Sequence, residues 1–300
     1  MHDGRMVRGI VAGMAVWGAV LSAALAAPGP EEGVRFLQDY SGTGRLGFFA
    51  NAQDELQEER YVTEGAMTLD FDVVSFLERW SVHTRFMLLA DLGTSVAENL
   101  PFSPKETVYE FSPFGEYQRG TWLARFGWNH ACQHLIYKDN DEPWYTVEGS
   151  NLPPDVYYNR IFAGVGRRES RPEILREAFF GAEPARPRVV WYLEAGGYLR
   201  SLPGMDGESL HGGNDWVADG TAELRLLLHG AKRWLLFATS RTQVLLDTGD
   251  ELYARELVQL EAVFDSQGFG SSVYAGWHAF DEHPRDSKEG LVELGAEFYF

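Results

Sequence analysis

Beyond residue 27 the chain contains no apolar run long enough for a spanning helix, yet segment after segment alternates apolar and polar side chains at period two. Such a pattern dictates strands with two unlike faces. In residues 79–92, Trp80, Val82, Thr84, Phe86, Leu88, Ala90 and Leu92 share one parity, while Ser81, His83, Arg85 and Asp91 take the other. Residues 63–75 set Met67, Leu69, Phe71 and Val73 against Asp70 and Asp72, and residues 218–230 set Leu224, Leu226 and Leu228 against Glu223, Arg225 and His229. A soluble sandwich would bury the apolar face, whereas a membrane barrel turns it to lipid and fills its lumen with polar groups. Several segments run about 11 to 14 residues, a length that suits a tilted membrane strand better than an average soluble one. An aromatic content of 14% fits the interfacial belts of such a barrel. With 44 acidic against 26 basic residues, a formal charge of −18 repels polyanions and excludes nucleic acid as a partner. The single Cys132 cannot close an internal disulfide.

The N-terminus carries Arg5 and Arg8, then an uncharged run over residues 9–27 that ends in small residues at Ala24-Leu25-Ala26. Residues 1–26 therefore read as a signal peptide, residues 27–43 as a periplasmic N-terminal segment, and residues 44–300 as the barrel. At the other end Val292, Leu294, Ala296, Phe298 and Phe300 alternate with Glu293, Gly295, Glu297 and Tyr299. This resembles the last strand of Gram-negative outer-membrane proteins. The resemblance implies the cell outer membrane as location and the barrel-assembly machinery as a partner that reads Phe300.

Strands are expected near 44–52, 63–75, 79–92, 104–113, 119–135, 155–168, 187–201, 218–230, 233–245, 252–265, 270–282 and 289–300. They make an all-β, transmembrane, antiparallel up-and-down β-barrel of about twelve strands, the even number bacterial barrels use. If the last strand descends to the periplasm, the turns at 76–78, 114–118, 231–232 and 266–269 are periplasmic and the links at 93–103, 136–154 and 202–217 extracellular. Residues 169–186 would form a long periplasmic link with a helix over 171–182. Asp70, Asp72, Arg85, Glu194, Arg225 and Glu261 are expected to pair within the lumen, helped by a bias of 22 Arg to 4 Lys.

The expected fifth strand carries an anomaly. Trp122, Ala124, Phe126 and Trp128 share the lipid-side parity, and that parity continues through His130, Cys132 and His134. Ionisable groups on the lipid face near the outer headgroups are costly without a purpose. On the next strand Asn159 has the parity of Ile161, Ala163 and Val165. Pairing it with His130 centres the hairpin loop between Trp144 and Tyr145, in the middle of the 136–154 link. Their Cβ atoms would then lie about 5 Å apart.

Asn129-His130-Ala131-Cys132 followed by Tyr158-Asn159-Arg160 resembles outer-membrane phospholipase A, a twelve-stranded barrel with Asn-His-x-Ser on one strand and Trp-Asn-Arg on the next. The resemblance implies a lipid acyl-ester hydrolase in which Cys132 stands for the serine nucleophile, His130 for the base and Asn159 for the group that orients it. Outer-membrane lipids would be its partners, and a homodimer is left open. The chain departs from that pattern after the nucleophile: Cys132-Gln133-His134 replaces Ser-Asn-Gly, and the calcium-contacting arginine falls on Leu135. Calcium thus loses a contact, and the cofactor requirement stays open. The run His130-x-Cys132-x-His134-Leu135 also resembles an uncharacterised group of Gram-negative outer-membrane barrels bearing His-x-Ser-x-His-Leu.

Other readings compete. The same three side chains could be an interfacial strand end bonded to headgroups, in a structural or adhesive barrel without activity. As zinc ligands they are poorly placed, because His130 and His134 would stand about 13 Å apart on an extended strand. Asp139, Asp141 and Glu142 lack the glycine turn of a calcium loop and read as solvated acidic positions. Should the lumen charges leave an open path, the chain would be a narrow solute channel.

Overall fold

The structure, a computed structural model, describes residues 34–37, 40–53, 55–76, 79–95, 100–135, 137–138, 142–143, 155–167, 189–200, 215–231, 234–266, 269–284 and 286–299. The expected signal peptide, the helix at 171–182, Asp139, Asp141, the side chain of Glu142, and Phe300 lie outside them. Its strands are β1 (Val34–Phe36), β2 (Tyr40–Ala50), β3 (Thr63–Phe76), β4 (Trp80–Ser95), β5 (Leu100–Arg119), β6 (Trp122–Leu135), β7 (Tyr137–Lys138), β8 (Glu142–Pro143), β9 (Asp155–Arg167), β10 (Val189–Tyr198), β11 (Trp216–Gly230), β12 (Trp234–Asp247), β13 (Leu252–Ser266), β14 (Phe269–Asp281) and β15 (Val292–Tyr299). A short helix, Glu55–Arg60, links β2 to β3.

From β2 to β6 and from β9 to β15 consecutive strands pair antiparallel, β6 pairs with β9, and β15 returns to pair with β2 from Val292↔Ala50 to Tyr299↔Thr43. The sheet is therefore a closed barrel of twelve strands, with β1 continuing the line of β2 along β3 and with the β7–β8 pair outside it. Closure leaves no long edge, as a strand in hydrocarbon requires.

The strand bounds differ from the sequence expectation in several places: β4 and β5 extend into the expected 93–103 link, to Ser95 and from Leu100, and the last strand begins at Val292 rather than at 289. The barrel starts earlier, because residues 34–36 and 40–43, expected to precede it, pair with β3. The turn expected at 114–118 is absent. β5 runs on to Arg119, and the hairpin turns at Gly120-Thr121, where Gly120 takes a left-handed φ of 59°. Pro113 and Gly115 suggested a break, but Pro113 only interrupts the hydrogen bonding to β6. Phe111 faces His130 and, beyond the proline, Phe114 faces Gly127 in unchanged register. The side chain of Ser112 donates to Trp128 O at 3.3 Å across the gap.

The two faces are inside out relative to a soluble fold. Ile161 is 54% exposed and Leu260 51%, whereas Glu116 is 0% and Glu261 1%. Carboxylates buried in the lumen carry partners. Glu116 accepts Arg125 Nε at 2.8 Å, Asp70 accepts Arg85 Nη2 at 2.7 Å, and Arg160 reaches Glu194 and Asp219, each at 2.8 Å. Arg225 approaches Glu261 at 3.9 Å, and Tyr299 donates to the same carboxylate at 2.7 Å. Asp72 differs from its expected ion pairing and accepts Ser75 Oγ instead. A polar cavity of about 470 Å³ remains among Arg85, Arg125, Tyr192, Asp219 and Arg225. At the end where β3, β5 and β9 terminate, Trp80 lies 4.6 Å from the ring of Tyr117, and Trp122 meets Trp191 edge to face at 5.5 Å. These rings form an interfacial girdle.

The orientation of the faces can be tested by moving one charge by one residue. Leu260→Arg, on the lipid face, should cost about 2 to 4 kcal/mol of unfolding free energy in lipid vesicles. Gln259→Arg, which enters the polar cavity, should cost far less. Equal losses in guanidinium titrations would contradict this assignment.

Candidate active site

His130 and Cys132 stand on β6 and Asn159 on β9, and β6 and β9 pair so that His130 faces Asn159 directly. The expected hairpin register is therefore the observed one, although most of the loop that joins the strands lies outside the described residues. His130 Nδ1 lies 3.1 Å from Asn159 Oδ1, and His130 Nε2 lies 3.2 Å from Cys132 Sγ. The amide oxygen can only accept, so Nδ1 carries the proton and Nε2 is left as acceptor for the thiol. A thiol, an imidazole and an amide are thus linked in series.

Local structure explains the alignment. On a strand, residues two apart share a face, so His130 and Cys132 present their side chains to the same side, one above the other. Aromatic neighbours restrict the imidazole. Phe111 of β5 is its register partner, and Trp128 lies nearly parallel to it at 6.0 Å. Phe111 in turn meets Trp128 edge to face at 6.0 Å. Cys132 is flanked in register by Tyr109 of β5 and Tyr157 of β9. His134, the third polar residue of this face, has its ring 6.0 Å from that of Tyr109. The flanking residues Tyr109, Phe111 and Tyr157 were not singled out in the sequence. The lipid-side parity of their strands, read together with the register, was the signal that locates them.

Depth follows from strand geometry. From Trp122 in the girdle, β6 climbs eight residues to His130 and ten to Cys132. At about 3.4 Å per residue and a tilt of about 40°, these are rises of about 21 and 26 Å. The apolar band of such a barrel is about 25 Å tall. The thiol therefore sits where hydrocarbon gives way to headgroups, the level at which acyl esters lie. His130 and Cys132 are half-buried, and Asn159 is buried against the wall.

No family model matches the sequence, and no curated protein matches it. Solved structures similar in overall shape include outer membrane phospholipase A from Escherichia coli, at 9% identity over 87% of this chain and 92% of that one, with a TM-score of 0.46. An outer membrane channel from Pseudomonas putida F1 is similar at 11% identity over 91% and 98% of the two chains, with a TM-score of 0.46. The KdgM porin follows at 6% identity, 87% and 98% coverage, and a TM-score of 0.43. The closed twelve-stranded sheet, its apolar belt and its polar lumen define the chain as an integral outer-membrane β-barrel.

The side on which Cys132 opens can be read chemically, because it is the chain's one thiol. In protein reconstituted into bilayers, an alkyl maleimide that partitions into lipid should label it several-fold faster than a sulfonated, membrane-impermeant maleimide. Preferential labelling by the charged reagent would place the thiol in the lumen instead.

Proposed function

We propose that the chain is a lipid acyl-ester hydrolase whose catalytic residues are Cys132, His130 and Asn159 and whose substrate is a lipid of the outer leaflet. The observation that carries the reading is the unbroken chain of hydrogen bonds from Cys132 Sγ through His130 to Asn159 Oδ1, set on the lipid face at headgroup depth. Polar side chains placed there carry a desolvation cost that an acyl-transfer site would explain.

In this mechanism His130 Nε2 takes the thiol proton as Cys132 Sγ attacks the ester carbonyl carbon. Collapse of the tetrahedral intermediate breaks the carbon–oxygen bond. The leaving lysolipid alkoxide takes the proton back from Nε2, and the acyl group stays on sulfur as a thioester. Water then attacks the thioester with His130 as base, releasing the fatty acid and restoring the thiol. Asn159 remains neutral throughout. It holds the imidazole in the tautomer that leaves Nε2 free, and it stabilises the imidazolium that forms transiently.

Deacylation of mixed phospholipid–detergent micelles tests the proposal. Cys132→Ala should abolish activity, and His130→Ala should lower it by about 10² to 10⁴, the usual contribution of a positioned base. Asn159→Ala should leave the thiol in place and lower kcat more than it raises KM. Equal rates for the wild type, Cys132→Ala and His130→Ala would end the enzyme reading. It would leave the structural barrel or narrow channel in its place.

A further inference from the structure

The connection between β14 and β15, described at residues 282–284 and 286–291, folds back onto the barrel. Leu291 is fully buried, and Gly290, at a left-handed φ of 78°, returns its N–H to His278 O at 2.8 Å. The carboxylate of Asp281 accepts the N–H groups of His283 at 3.0 Å and Lys288 at 2.9 Å, and Ser287 Oγ donates to Asp281 O at 2.7 Å. From the β2–β3 side, Asn51 Nδ2 donates to Gly290 O at 3.0 Å and Gln57 Nε2 to Glu289 O at 3.2 Å.

Folded in this way, the loop drives Lys288 inward. Its ammonium group donates to Glu64 and lies 3.5 Å from Asp91. It also stands 5.0 Å from the ring centre of Phe49 and 5.2 Å from that of Tyr61, and these two rings meet edge to face at 5.6 Å. Burial alone would lower the Lys288 pKa, but the carboxylates of Asp91 and Glu64 carry it above its ordinary value. Glu64 and Asp91 are direct register partners on β3 and β4. Like charges directly opposite each other are destabilising, so this pair calls for a cation between them.

We propose that Phe49, Tyr61, Glu64 and Asp91 form a binding site for a primary ammonium group, filled here by the chain's own Lys288, so that the 282–291 loop is a tethered plug. The chemistry selects the class of ligand. Two carboxylates need N–H donors as well as charge, and the rings favour a compact cation at their faces. A primary ammonium offers three donors and a quaternary ammonium none. Tethering gives Lys288 an effective concentration in the millimolar range, which keeps dilute amines out of the intact protein.

Lys288→Ala empties the site, and hydrogen exchange of the full chain in detergent micelles reads the result. Exchange in residues 282–291 should accelerate by about tenfold or more while β14 and β15 keep their protection. Ethylammonium chloride should restore slow exchange and raise the variant's Tm. Tetramethylammonium chloride at the same ionic strength should do neither, and the wild type should respond to neither salt. If Lys288→Ala does not refold unaided, refolding yield becomes the readout, and recovery with ethylammonium but not tetramethylammonium supports the site. Wild-type protection of the loop in the variant would overturn the proposal. So would an ethylammonium effect, on exchange or on yield, no larger than that of tetramethylammonium.

Discussion

A strand in hydrocarbon has no water to satisfy its backbone, and the rest of this molecule follows from the closure that meets this constraint. The seam where β15 pairs with β2, from Val292↔Ala50 to Tyr299↔Thr43, removes the edges that twelve open strands would leave. Once the sheet is closed, each residue faces either lipid or lumen, and alternation assigns the side. The lumen then receives a full set of side chains with little water around them, which makes pairing obligatory. Glu116, Glu261 and Glu293, each at most 1% exposed, are tolerated because Arg125, the Tyr299 hydroxyl and Arg45 reach them.

Closure also gives meaning to the exceptions. A polar residue with lipid-side parity cannot join the lumen network, so it must find a partner in its own face or remain unpaired near hydrocarbon. His130, Cys132 and Asn159 satisfy one another in two hydrogen bonds. This part was legible in the sequence because it rests on two local quantities: the parity of each strand, and the distance of each polar residue from the middle of one hairpin. Antiparallel pairing turns those distances into a contact.

What could not be read depended on information that neither quantity contains. Pro113 lacks an N–H and resembled a turn signal, but the barrel absorbs it by losing hydrogen bonds on one side of β5 while β4 keeps Thr84 opposite Pro113 on the other. Residues 34–36 and 40–43 alternate too weakly to mark a strand, and their pairing with β3 comes from continuity of the sheet. The cage around Lys288 was hidden for a different reason. Lys288 and Glu64 are 224 residues apart, and nothing in the pattern of either neighbourhood specifies the meeting. Periodicity yields a face, and only the closed topology yields the partner across the lumen.

The inner and outer polar systems are nonetheless coupled through the wall that separates them. The lumen-facing neighbours of His130 and Asn159 are Asn129 and Arg160, which are themselves register partners and both buried. Arg160 holds Glu194 of β10 and Asp219 of β11, so the β9 backbone that carries Asn159 is fixed to two further strands from inside. Two hydrogen bonds between half-buried side chains on a membrane surface would be loosely set on a mobile backbone. With the backbone of β9 anchored by a paired guanidinium on the opposite face, the distance from Asn159 to His130 is set by the scaffold rather than by the hydrogen bond alone. In this barrel the costly burial of charge in the lumen is therefore also what positions the polar groups outside it.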